Sequence, residues 1–167
     1  MMMKTAALAL AALVALAAAP ALRAQEQIGI PLGAKAPGAV VETLDGKSID
    51  IAQYFGKSPV LIEFWATWCG NCKQLEPQLL STVKKYGNQV KFLTVAVSVN
   101  QSPERVKLYA HKYGLTSQML YDRRGNAVVA YDAPATSYIV VVDKSGKVVY
   151  TGLGPEQNLE GAVRKAL

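Results

Sequence analysis

This 167-residue chain is poor in the side chains from which metal centres and disulfide scaffolds are built: it has two cysteines, Cys69 and Cys72, and one histidine, His111. Structural zinc takes four nitrogen or sulfur ligands, so a zinc site built from this chain alone is not expected. One bridge between residues three apart closes a very small ring and restrains the unfolded chain little, so a structural staple is a weak use for the pair. Basic residues are scattered (Lys84-Lys85, Arg123-Arg124, Arg164-Lys165) with no stripe interleaved with aromatics, which argues against a nucleic-acid groove. No second apolar run follows the N-terminal one as a stop-transfer segment, and no internal repeat is present.

Residues 1–24 have the layout of a secretory signal peptide: one early charge at Lys4, an apolar run from Ala6 to Ala19, then small residues around Pro20. Cleavage is expected after Ala21 or after Ala24. No cysteine lies there, which excludes lipid attachment at a new N-terminal Cys. Membrane contact is then expected only through the signal, if it stays uncleaved. Removal of Lys4 and Arg23 with it leaves 16 basic and 12 acidic side chains, a mild excess spread over a solvated surface. Residues 25–37, punctuated by Pro and Gly, read as a linker or loosely tied arm, and 38–167 as one domain large enough to bury a core without disulfides. Export would place the protein where disulfides persist.

Two short alternating runs around Asp45-Gly46 give a hairpin signal. Val60 to Trp65 is nearly all apolar and reads as a central strand covered on both faces. Leu75, Leu79, Leu80 and Val83 fall at helical spacing, so a helix is expected to begin at Cys72 and to kink at Pro77. Val90 to Val97 reads as a second buried strand. Ser102 caps a helix with Pro103 at its first position, ending at Tyr113-Gly114. A short strand follows at Met119 to Asp122, a second hairpin turns at Asp143 to Gly146, and an amphipathic helix runs from Leu159 to Leu167. This is an α/β arrangement with a mixed sheet.

Both cysteines lie in the stretch WATWCGNC, between a buried strand and a helix. The free N–H groups of a helix start favour a thiolate at Cys69, which makes it the expected nucleophile. Cys72, further in, is expected to be the more buried resolving thiol. Copper held by the two thiolates with outside ligands is the competing use of the pair. Glu63 interrupts the apolar strand six residues before Cys69. If buried, its carboxyl pKa is raised, as an acceptor for the Cys72 proton needs. The alternative is a sheet edge or a lysine partner. His111 is given no role.

The segment from Glu63 to Pro77 resembles the active-site segment of thioredoxin. With Leu44 to Lys47 in the first hairpin, Gly56-Lys-Ser-Pro-Val before the central strand and a helix-strand insertion over Ser102 to Tyr121, the chain resembles exported thiol-disulfide oxidoreductases of the TlpA/ResA type. The resemblance implies a thioredoxin fold: a central mixed β-sheet flanked by helices, with an N-terminal β-hairpin and that insertion. It implies attack by Cys69, resolution by Cys72, and a buried acid at Glu63. Many of these proteins carry an acid three residues after the second cysteine, where this chain has Leu75; Glu76, one further on, is expected to face elsewhere. The cis-proline beside the cysteines falls at Ser137 in the favoured register and at Pro134 in the other, and Ser137 is expected to follow a trans peptide. Candidate substrate-contact residues are Trp68, Gly70, Asn71, Thr136 and Ser137. The expectation is a periplasmic or otherwise exported, monomeric thiol-disulfide oxidoreductase without a further cofactor, with the family favouring the reductase direction. It acts on protein thiols, apocytochrome c among them, and a membrane electron donor keeps it reduced.

Overall fold

The computed structural model describes residues 27–167, so the signal reading lies outside the described residues. Seven strands form one sheet in the order β2-β1-β5-β4-β3-β6-β7. β1 (Val40–Thr43) and β2 (Ser48–Asp50) are the first hairpin, β3 (Val60–Trp65) is the central strand, and β4 (Lys91–Val97) and β5 (Gln118–Asp122) run parallel to it in succession. β6 (Tyr138–Val142) pairs antiparallel with the other side of β3, and β7 (Val148–Leu153) closes that edge. This is a thioredoxin fold, and the helix-strand insertion supplies β5.

All six residues of β3 are buried, as its apolar run requires when helices cover both faces. Successive side chains alternate between faces. Val60, Ile62 and Phe64 join one core with Val95, Val140 and the N-terminal strap, while Leu61 packs on the opposite face against Leu75 and Leu79 of α1 (Gly70–Tyr86) and Leu159 of α4 (Leu159–Arg164). Glu63 and Trp65 share the face of Leu61, and therefore look toward α1. That parity puts a carboxyl beneath the cysteines.

α2 (Pro103–Tyr113) starts as its sequence dictates: Ser102 accepts the Arg105 N–H, Pro103 occupies the first turn, and Gly114 ends the helix at φ +65°. α1 runs through Pro77 as one 17-residue helix. The short α3 (Asn126–Ala130) has no side-chain cap and no apolar periodicity long enough to announce it.

The segment read as a loose arm is tied down from Ile28 onward. Gly33 donates to Val148 O (2.7 Å), Val148 to Ala34 O (2.9 Å), and Ala36 to Gly146 O (2.8 Å), extending the sheet edge irregularly. Pro and Gly interrupt regular strand there without preventing backbone pairing. Tyr138 Oη locks the strap by accepting the Ile30 N–H (3.1 Å) and donating to Ile28 O (3.2 Å). Gly29 leaves room for this, since a side chain at its φ of +68° would run into the Tyr138 ring. Tyr138→Phe removes both bonds, and is expected to lower the free energy of urea unfolding by about 1–2 kcal/mol.

Candidate active site

Cys69 is the N-cap of α1, so the helix begins at Gly70 and not at Cys72 as its apolar spacing indicated. Cap residues lie outside an apolar pattern, which is why periodicity misplaces them. Cys69 Sγ accepts the Cys72 N–H at 3.0 Å. The two cysteines are joined as a disulfide, with 5.3 Å between their Cα atoms. Cys69 is 4% exposed and Cys72 fully buried. The uncompensated N–H groups of a long helix thus point at the sulfur nearer the surface, the condition for a stabilised thiolate.

The turn before the helix is held by a loop that sequence reasoning overlooked. Gln101 accepts the Thr67 N–H through its side-chain oxygen (2.8 Å) and donates through its amide to Val97 O (2.5 Å), while Tyr121 Oη donates to Gln101 O (2.7 Å). Trp68 Nε1 donates to Val99 O at 2.7 Å, leaving its ring 43% exposed beside the disulfide. A glutamine in a loop some thirty residues away carries no local signal of this role.

Glu63 is 2% exposed on the central strand, with neither a sheet edge nor a lysine beside it. Thr94 Oγ1 donates to its Oε2 over a long 3.4 Å, and Ser117 Oγ lies 2.7 Å from the same hydroxyl. Burial pushes the Glu63 carboxyl up to about 8; the Thr94 bond opposes the rise and the nearby charge of Glu76 adds to it.

Glu76 does not face elsewhere. It stands four residues after Cys72 on α1, and residues four apart on a helix are neighbours on one face. Glu63, Cys72, Glu76, Thr94 and Ser117 all line one cavity of about 10 Å3. Tyr109 Oη of α2 donates to Glu76 Oε2 at 3.4 Å. Burial raises the Glu76 carboxyl as well, opposed by the Tyr109 bond and the charge of Lys73.

The expected contact residues divide. Gly70 and Asn71 are exposed at the helix start, and Thr136 lines, with Trp68, Val97, Val99 and Pro134, an open groove of about 230 Å3 whose wall is mostly apolar. Ser137 is fully buried: its N–H donates to Phe64 O (2.8 Å) and its hydroxyl to Gly154 O (3.2 Å). Its side chain therefore belongs to the fold's interior, and the accessible ledge is the loop just before it. No cis peptide occurs among the described residues, and Ser137 has φ +65°. Proline cannot adopt that φ or supply that N–H, so Ser137→Pro is expected to lower unfolding free energy in urea by roughly 3 kcal/mol or more.

With this geometry in view, the relatives are consistent. The Redoxin family model matches residues 31–167. The chain is 29% identical over 140 residues to thiol-disulfide oxidoreductase ResA of Geobacillus thermodenitrificans, covering 81% of this chain and 78% of that one. It is 31% identical over 140 residues to the thioredoxin-like protein YneN of Bacillus subtilis, covering 81% of each. Among solved structures, the thioredoxin domain of a thiol-disulfide oxidoreductase from Bacteroides vulgatus superposes with a TM-score of 0.71 at 20% identity, over 83% of this chain and 99% of that domain, a likeness of fold. The chain belongs to the Redoxin family, as a thiol-disulfide oxidoreductase of the TlpA/ResA type.

Proposed function

We propose that this oxidoreductase works after export as a disulfide reductase: Cys69 attacks a disulfide of a protein substrate, Cys72 resolves the mixed disulfide, and Glu63 accepts the proton that Cys72 must lose. The observation that carries the direction is the pair of carboxyl groups sharing a cavity with Cys72. A strong oxidant owes its potential to a reduced form stabilised as thiolate. Carboxyl charge behind the thiols opposes that stabilisation, and favours a reducing couple. Trp68, Gly70, Asn71 and Thr136 are the proposed contacts for substrate polypeptide, which the mostly apolar groove suits. Residues 1–24 are the proposed signal, so a mature chain beginning at Leu22 or Gln25 is expected from N-terminal sequencing of the exported protein. A monomer reduced by a membrane-bound dithiol donor completes the proposal.

The test is the reduction potential of Cys69/Cys72, measured by equilibrating the protein in glutathione or dithiothreitol buffers and following tryptophan fluorescence. Trp65, which packs in the same cluster as both cysteines, and the adjacent Trp68 are the reporters. A value near roughly −270 mV is expected; one near roughly −120 mV would make the protein an oxidant and overturn the direction.

A further inference from the structure

Two carboxyl groups lie on the buried side of the disulfide, and they differ in their access to water. Glu63 on β3 is 2% exposed. Glu76 on α1 is only half-buried. Both meet Cys72 across the same small cavity, where Thr94 and Ser117 add hydroxyl groups to the wall. Each carboxyl accepts one long hydrogen bond, from Thr94 and from Tyr109 respectively, although a carboxylate has four acceptor positions. The cavity is close to the smallest that holds one water, and its polar lining gives such a water partners.

We propose that Glu63 and Glu76 act as one proton-holding pair, in which Glu63 exchanges a proton with the Cys72 thiol and Glu76 exchanges it with solvent. This rests on the oxidoreductase reading above, in which Cys72 resolves and Glu63 is its acceptor. Once Cys69 has attacked a substrate disulfide, one substrate sulfur has left as thiolate and the other is bonded to Cys69 Sγ. The Cys72 thiol gives its proton to the pair; its thiolate attacks Cys69 Sγ, the bond from Cys69 to the substrate sulfur breaks, and the second substrate thiolate leaves. Two electrons pass from the dithiol to the substrate, and the proton held by the pair leaves through Glu76. Reduction of the protein by a donor dithiol runs the same path backward, with the pair returning the proton to Cys72.

Like charges facing each other across a poorly hydrated cavity disfavour double ionisation, so such a pair holds one proton near neutrality and titrates as a unit. A singly protonated pair can both accept and donate, which suits an exchange that runs in two directions. The groups facing it from the packed elements are Cys72 and Lys73 on α1, Thr94 on β4, Ser117 before β5, and Tyr109 backed by Tyr113 on α2. Among these Lys73 is the one basic side chain, and it acts on Glu76, the outer member.

The experiment is a stopped-flow reaction of the reduced protein with substoichiometric Ellman's disulfide between about pH 5 and 9, where the first thiolate released reports attack by Cys69 and the second reports resolution by Cys72. Glu63→Gln is expected to slow the second release roughly 100-fold and to abolish its pH limb, with a far smaller change in the first release, which depends on Cys69 alone. Glu76→Gln is expected to slow the second release roughly tenfold and move its limb to lower pH, because Glu63 then ionises without a like charge beside it. The double variant should match Glu63→Gln alone, and Glu76→Asp should restore part of the rate. A Glu76→Gln protein with unaltered second release, or defects that multiply in the double variant, overturns the pair while leaving Glu63 as a lone acceptor. Should Glu63→Gln itself leave the limb in place, the acceptor role falls and the pair with it. In the unsubstituted oxidised protein, carboxyl 13C NMR must show both resonances moving in both titration steps; a Glu76 that titrates independently of Glu63 overturns the proposal without any variant.

Discussion

Glu63→Gln is expected to stabilise the oxidised protein above pH 8 by on the order of 3–5 kcal/mol, and to flatten the dependence of its stability on pH. The carboxyl holds its proton up to about 8 in the folded protein, against 4.5 for an ordinary glutamate. Folded chains therefore bind more protons than unfolded ones between those values, and stability must fall as pH rises through them. The fold enjoys the full benefit of a neutral Glu63 below about pH 4.5, loses it progressively toward pH 8, and stays at the lower level beyond. At 1.36 kcal/mol for each tenfold change in proton affinity, the interval is worth roughly 5 kcal/mol. Glu76, also raised by burial, adds a slope of the same sign. Glu42, Glu104, Asp143 and Glu160 all have lowered carboxyl pKa values, so their linkage acts only on the acid side of the ordinary range. Urea unfolding at pH 5, 7 and 9 is the check, and a Glu63→Gln protein with the parent's pH slope would show that Glu63 ionises freely in the fold.

Cys72→Ser is expected to abolish multiple turnover, by roughly a thousandfold or more, while leaving one attack per molecule intact. Cys69 Sγ keeps the helix start and the residue-72 N–H that stabilise its thiolate. Without a thiol at position 72, nothing cleaves the mixed disulfide from within, so substrate should accumulate covalently on Cys69. Mass spectrometry should find one adduct per chain, and insulin reduction should fall to background. Cys69→Ser should lose both adduct and turnover. A Cys72→Ser protein that still turns over would mean that an outside thiol resolves the intermediate.

Much of this site is written in short-range order. Strand, sharp turn and helix follow one another in a stretch of about two dozen residues, and each has a local cause: an apolar run, a turn segment, then 3.6-residue spacing. The Ser102-Pro103 helix start is as local, and it forms as expected. Glu63 could be placed because a carboxylate inside a continuous apolar run has few ways to reach water. The offset of the acid in related proteins points away from Glu76, whereas helix geometry keeps the third and fourth residues after Cys72 on its own side. The role of Gln101, the pairing of the strap from Ile28 to Ala36 and the left-handed backbone and burial of Ser137 carry no local signal, since each is fixed by partners far along the chain.

By itself the sequence determined the chemistry available: two thiols one helical turn apart at a helix start, and a carboxyl on the strand that leads to them. The tertiary structure alone decided how that chemistry is tuned. Strands out of sequential order, with β4 and β6 on either side of β3, bury Glu63; the phase of α1 brings Glu76 to the same cavity; and α2 sets Tyr109 against it. The physical reason is range: backbone caps and periodicity act within a turn or two of chain, whereas desolvation and the repulsion between two carboxyls depend on which distant elements pack together.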